Sequence, residues 1–132
     1  MPIITAVAAA LLAALHVRLS IGVIALRRER RIGIGDGEDE SLARAIRAQG
    51  NSAEYVPIAL ILLGCLELNG GSRWLLVPLA LAFLVGRVLH ARGIGDATTP
   101  FRDRVLGMHL TLWPILALAA LNLVQAALIT LD

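Results

Sequence analysis

Four apolar stretches alternate along the chain with polar or glycine-rich breaks: residues 2–26, 42–68, 73–91 and 101–131. At about 1.5 Å of rise per residue, each has the length of a helix crossing a hydrocarbon layer of about 30 Å. The pattern predicts an all-α fold, an integral membrane four-helix bundle forming a single domain over residues 1–132.

The first stretch carries no basic residue before its apolar run, and Arg27, Arg28, Arg30 and Arg31 follow it. That order is the reverse of a signal peptide and reads as a membrane helix with its N-terminus outside. His16 and Arg18 interrupt it. Arg18 is expected to snorkel or to face the bundle interior, and His16 to be a hydrogen-bonded bundle residue. Residues 27–40 read as a solvated loop, and the acidic block Asp36–Glu40 lacks the spacing of a calcium loop, so no metal site is expected. Ser41 is the expected N-cap of the second helix, which would be about 40 Å long and project its first turns beyond the hydrocarbon. Pro57 should kink it, and Glu67 lies near its far end, within reach of water. Asn69-Gly70-Gly71-Ser72 reads as a tight turn, and residues 93–100 as a loop in which Thr99 and Pro100 supply the N-cap and first position of the fourth helix. Pro78 lies near the start of the third helix, and Pro114 is expected to bend the fourth.

Composition agrees with this reading. The chain is 58% hydrophobic with a mean hydropathy of +0.77, far above a soluble domain. Every basic residue is arginine, yet the net charge is only +2, so a nucleic-acid partner has no support. The single cysteine, Cys65, excludes an intramolecular disulfide and reads as a packing residue. Arg27, Arg28, Arg30, Arg31, Arg44 and Arg47 flank the first break, and Arg87, Arg92, Arg102 and Arg104 flank the third, whereas the second has Arg73 alone. The positive-inside rule then puts the first and third breaks in the cytoplasm and both termini outside.

This topology collects polar groups at one membrane face. Arg47, Asn51 and Glu54 are spaced i, i+4 and i+7; at about 100° per residue they lie within roughly 60° of each other, with Arg44 on the same side. Tyr55 follows, and the third and fourth helices add Arg87, His90, Arg102 and Arg104. Two readings are open on the residues alone. The cluster could hold a small polyanion through arginine forks, with Glu54 taking an ammonium group. Alternatively, it could be interhelical glue, with Glu54 pairing arginines across the bundle.

The segment Arg47-Ala48-x-x-Asn51-x-x-Glu54-Tyr55-x-Pro57 resembles the second-helix signature of MAPEG proteins, the membrane-associated proteins in eicosanoid and glutathione metabolism. The resemblance covers essentially the whole chain. It is closest to the short bacterial members, which share Gly35-Asp36-Gly37, Gly86-Arg87 and Phe101-Arg102-x-Arg104. It implies a homotrimer in the bacterial inner membrane, with glutathione as co-substrate between neighbouring subunits near the cytoplasmic face. Arg47, Asn51, Glu54 and Tyr55 would hold its charged ends, Gln49 would reach in from the adjacent subunit, and Arg87 would line the same pocket. Arg44, His90 and Arg102 complete the expected binding set. Arg104 matches the arginine assigned to the glutathione thiolate. A thiol with a pKa of about 8.5 is mostly protonated at neutral pH, and a guanidinium beside it favours the nucleophilic anion.

The implied activity is glutathione transfer to a lipophilic electrophile, with peroxidase action on lipid hydroperoxides as a companion. The electrophile would enter laterally from membrane lipids. His90 stands where eicosanoid-forming relatives have a tyrosine, and Tyr55 is the only tyrosine, which argues against a leukotriene- or prostaglandin-type substrate. One rival is a non-catalytic member binding a lipid or a partner. Another is a small four-helix exporter, which usually needs a carboxylate deep in its first helix; here that helix has none.

Overall fold

A computed structural model describes every residue except 96, 97, 99 and 132. The described residues form four helices: α1 (Ile3–Arg30), α2 (Glu40–Leu68), α3 (Arg73–Gly95) and α4 (Phe101–Leu131). All four are long and apolar enough to cross a membrane. Neighbours run antiparallel. Glu67 near the end of α2 meets Ile4 and Thr5 at the start of α1, Gln125 late in α4 bonds the Asn69 carbonyl in the α2–α3 turn, and His90 late in α3 bonds Arg104 early in α4. The start of α1 and the end of α4 therefore lie at the same end of the bundle.

The helix ends differ from expectation in ways that local chemistry explains. α1 continues to Arg30, four residues past the expected end at 26, because cations in a last turn oppose the helix dipole. It stops where Arg31 adopts a left-handed conformation (φ 57°) and its N–H reaches the Arg27 and Arg28 carbonyls. The N-cap of α2 is Asp39 rather than Ser41: Asp39 Oδ1 accepts from the Leu42 N–H at 2.8 Å, and the Ser41 hydroxyl donates to the same oxygen. These two donors, the Ser41 hydroxyl foremost, hold the Asp39 carboxyl below its ordinary value. A carboxyl depressed on folding adds stability above its unfolded pKa, and that stability disappears as pH falls through the folded value. The protection factor of the Leu42 amide, taken relative to its intrinsic exchange rate, should therefore hold from neutral pH down to about pH 4 and fall below it, and Asp39→Asn, an uncharged cap, should flatten the dependence.

Glu67, partly buried, folds back onto the start of α1. Its Oε1 accepts from Ile4 N at 2.8 Å, and its Oε2 accepts from Thr5 N at 2.8 Å and Thr5 Oγ1 at 2.7 Å. It supplies to α1 the N-terminal cap that Pro2 does not provide, and it places a negative charge at the positive end of the helix dipole.

α3 runs four residues past the expected end at 91, so Gly93, Ile94 and Gly95 are helical. The glycine at 93 serves packing. A Cβ on Gly93 would lie 2.7 Å from Arg104 N, one on Gly86 2.7 Å from the Leu110 carbonyl carbon, and one on Gly107 2.5 Å from His90 N. Three glycines thus let the α3 and α4 backbones touch, which is how helices associate where lipid removes the hydrophobic drive. For α4, Pro100 precedes the first helical residue and its carbonyl accepts from Asp103 N at 3.0 Å; Thr99, the expected N-cap, lies outside the described residues. α2, α3 and α4 continue through Pro57, Pro78 and Pro114.

The apolar core lies between α1, α2, α3 and α4 at the end of the bundle that carries the termini. It consists of Ala8, Leu63, Leu66, Leu76 and Leu118, and continues inward through Leu12, Ala59 and Phe83. Much of the remaining apolar surface, including Val7, Val17 and Ile21 on α1 and Leu116, Leu123 and Leu128 on α4, faces outward, as expected in contact with lipid chains. Arg18 is also on the outer surface and so does not face the bundle interior.

Candidate functional site

At the opposite end of the bundle from the termini, polar residues replace the leucine core. Arg87 of α3 is 0% exposed. Its Nη2 donates to Asn51 Oδ1 at 2.7 Å and its Nη1 to Thr111 Oγ1 at 3.2 Å, while Thr111 donates onward to the Gly107 carbonyl at 2.8 Å. The guanidinium carbon sits 5.7 Å from the centroid of the Tyr55 ring. One arginine therefore ties α2, α3 and α4 together. Its contacts are neutral oxygens and an aromatic face, and Nε has no partner. Among the described residues no carboxylate forms an ion pair with it, and a desolvated cation without one is costly, which makes this a position where an anion is favoured.

His90 lies one turn further along α3. Its Nδ1 is 3.1 Å from the main-chain carbonyl of Arg104; a carbonyl only accepts, so Nδ1 carries the hydrogen. Nε2 is buried without a partner, as is the Ser52 hydroxyl on α2. The close α3–α4 approach at Gly93 and Gly107 makes the His90 bond possible.

The remaining charged residues at this end of the bundle are more exposed. Arg47 and Glu54 pair along α2 at 3.3 Å, both more than half exposed. Glu54 thus pairs within its own helix instead of across the bundle. The side chains of Arg102 and Arg104 are exposed at the start of α4. Arg44 is committed to Glu40, one turn back. Gln49 is half-buried, with Nε2 3.4 Å from His16 Nε2, so it has a partner within its own chain.

The structure thus sorts the expected residues into two ranks. Asn51 and Arg87, bonded to each other, and His90 one turn further along α3 are the inner, buried rank, with Tyr55 over Arg87; Arg47 and Glu54, paired on α2, and Arg102 and Arg104 at the start of α4 are the outer, exposed one. Arg44 and Gln49 lie in side contacts. Thr111 and Glu67 were missed as polar anchors. Thr111 had a signal, since it follows Gly107 by one turn in a mostly apolar run; Glu67 had only its place beside a turn.

Because Glu67 and Glu54 hold such different positions, Glu54→Gln and Glu67→Gln should separate cleanly. Glu67→Gln should weaken protection of the Ile4 and Thr5 amides in hydrogen exchange and leave the outer rank untouched. Glu54→Gln should leave those amides protected and change anion binding at the open arginines. Equal loss of Ile4 and Thr5 protection in both variants would contradict this division.

The family pattern described as "MAPEG family" matches residues 5–124, which include nearly all of the four helices. The inner membrane protein YecN of Escherichia coli strain K12 is 36% identical over 120 residues, covering 91% of this chain and 90% of that protein. YecN of Escherichia coli O6:H1, strain CFT073, matches with the same figures.

Proposed function

Because the chain belongs to the MAPEG family, we propose that it is a membrane-embedded glutathione transferase, joining the glutathione sulfur to lipophilic electrophiles. The observation that supports this most is the outer rank. Glutathione has two carboxylates, one ammonium group and a thiol; Arg47, Arg102 and Arg104 offer open guanidinium groups to the anions, and Glu54 offers a carboxylate to the ammonium. The Arg47–Glu54 pair is solvent-exposed, and such pairs contribute only about 0–1 kcal/mol, so a ligand can open it at little cost. Arg87, buried among neutral hydrogen-bond partners, adds positive potential behind the same surface.

In the proposed reaction Arg104 stabilises the thiolate and the thiol proton leaves to water. The sulfur then forms a bond to an electrophilic carbon as that carbon loses its leaving group, a halide in a chlorinated aromatic. Peroxidase action on lipid hydroperoxides is a second activity of the same thiolate. An apolar groove of about 280 Å³ between α1 and α2, lined by residues including Leu12, His16, Ser52 and Val56, supports a lipophilic partner arriving from the membrane. Since the outer rank is open on the surface of one chain, a neighbouring subunit is needed to enclose the ligand, consistent with a homotrimer.

Calorimetry of the purified protein with glutathione tests the reading, together with turnover of chlorodinitrobenzene. Absence of glutathione binding would overturn it. Binding without turnover would favour a non-catalytic member, a reading supported by the bond that Asn51 and Arg87 make to each other inside the chain. Native mass spectrometry reads the assembly, and a dominant monomer or dimer would exclude the trimer.

The name of the relative, together with the four apolar helices, supports an inner-membrane location. The arginine distribution supports cytoplasmic placement of the site and periplasmic termini. A reporter fused to the C-terminus should be active only in an export-dependent form; cytoplasmic activity would reverse the orientation.

A further inference from the structure

The connection between α1 and α2 takes no part in the transferase chemistry. At the end of α1, Ile24, Arg27, Arg28, Arg31, Ile32 and Gly33 line an open hollow of about 420 Å³. The lining contains arginine and no carboxylate. Arg27 is committed to structure: Nη1 donates to the Gly33 carbonyl at 3.3 Å and the Gly35 carbonyl at 2.9 Å, folding the loop back against the helix end. Arg28 and Arg31 are exposed, and among the described residues neither has a side-chain hydrogen bond or ion pair.

The carboxylates of the same segment are engaged elsewhere or lie apart. Glu29 and Asp39 pair with Arg30, and Glu40 pairs with Arg44. Asp36 accepts from the Glu38 N–H in the turn beyond, and neither lines the hollow. The preference of cations for a helix C-terminus accounts for arginines in the last turn of α1. It does not account for their apolar surroundings. Ile24 and Ile32 are walls of the hollow, and Ile34, between Gly33 and Gly35, is 95% exposed at the loop tip. Open cations beside an exposed apolar tip, at the end of a membrane-crossing helix, make an interfacial arrangement in which a charged headgroup and the first methylenes of its chains are both answered.

We propose that this hollow binds the headgroup of an anionic phospholipid. Arg28 and Arg31 donate to the phosphate oxygens, Ile24 and Ile32 meet the upper acyl chains, and Ile34 inserts beside them. A zwitterionic headgroup fits less well, because the lining has no carboxylate for its ammonium group.

The test uses the full chain in mild detergent, titrated with phosphatidylglycerol or with phosphatidylcholine of the same acyl chains and read by native mass spectrometry. The wild type should retain phosphatidylglycerol over phosphatidylcholine by on the order of tenfold, from two arginines at a membrane surface. Arg28→Gln/Arg31→Gln should bring the ratio to about one, while Arg73→Gln, at the other end of the bundle, should keep it. Equal retention of the two lipids by the wild type would overturn the proposal without any variant. So would a preference that survives in the double variant, or displacement of the lipid by an equal concentration of inorganic phosphate, which would mark a free-anion site. Loss of assembly together with lipid in the double variant would reassign the arginines to a contact between copies.

Discussion

Arg104→Ala should leave glutathione binding nearly intact and lower turnover of chlorodinitrobenzene by about 10²–10³-fold, the usual loss when one donor to a developing charge is removed. The prediction rests on the transferase reading. The Arg104 side chain is exposed at the start of α4, while its main-chain carbonyl anchors His90. Truncation at Cβ keeps that carbonyl, so the α3–α4 contact should survive. Arg47, the open arginine of α2, would meet a carboxylate, which carries the same charge before and after reaction. Arg104 would meet a charge that appears only when the thiol ionises, so its loss should fall on rate. The N-terminal dipole of α4 also favours an anion, by roughly 0.3–1 kcal/mol, and should leave a residue of activity. The ultraviolet thiolate band of bound glutathione, titrated in wild type and variant, checks the assignment. An unchanged thiolate pKa would remove Arg104 from the mechanism and make Arg102 the next candidate.

Gly107→Val should force α3 and α4 apart and destabilise the whole bundle. A Cβ on Gly107 would lie 2.5 Å from His90 N and 2.8 Å from the Gly86 carbonyl oxygen. Both obstacles are backbone, so no side chain can swing away, and the two helices must separate. Overpacking typically costs about 1–3 kcal/mol, and a rigid obstacle places this case at the upper end or beyond. Separation would also lengthen the Arg87–Thr111 and His90–Arg104 bonds, so anion binding should fall together with stability. Gly22→Ala is the control. Nothing lies within 4 Å of a Cβ there, and alanine should be neutral or stabilising by up to about 1 kcal/mol. Thermal unfolding in detergent, read for both variants beside wild type, checks the pair. Comparable unfolding temperatures for Gly107→Val and wild type would refute the close-packing account.

The four helices were legible because apolar length alone indicates a membrane crossing, and no competing pattern fits runs of this length. Their ends were not, because residues that usually break helices have other uses here. Gly93 and Gly95 looked like a loop and are helical, Gly93 because it accommodates α4. Arg27, Arg28 and Arg30 looked like the start of a loop and complete the last turn of α1. Ser41 has the right chemistry for a cap, but Asp39 has the side-chain geometry to reach Leu42 N, and the serine bonds to the aspartate.

For the candidate site, the spacing of Arg47 and Glu54 on α2 was readable and the two do meet. The partnership of Arg87 with Asn51 and Thr111 was not, since it joins positions 36 and 24 residues apart and depends on how closely three helices approach. Nor does a sequence show that the main-chain carbonyl of Arg104 anchors His90.

The cap that Glu67 places on α1 bears on how the protein is made. The acceptor lies 63 residues downstream of the Ile4 amide it satisfies. During synthesis, α1 enters the membrane before this carboxylate exists, and its Ile4 and Thr5 amides lack that partner until α2 has been made almost to its end. α1 also has direct neighbours only in α2 and α3 among the described residues. A growing chain therefore holds its first helix loosely, free to tilt or slide, until the second has crossed in the opposite direction and delivered its carboxylate. The α1–α2 hairpin, rather than the single helix, is the smallest unit with a settled depth in the bilayer.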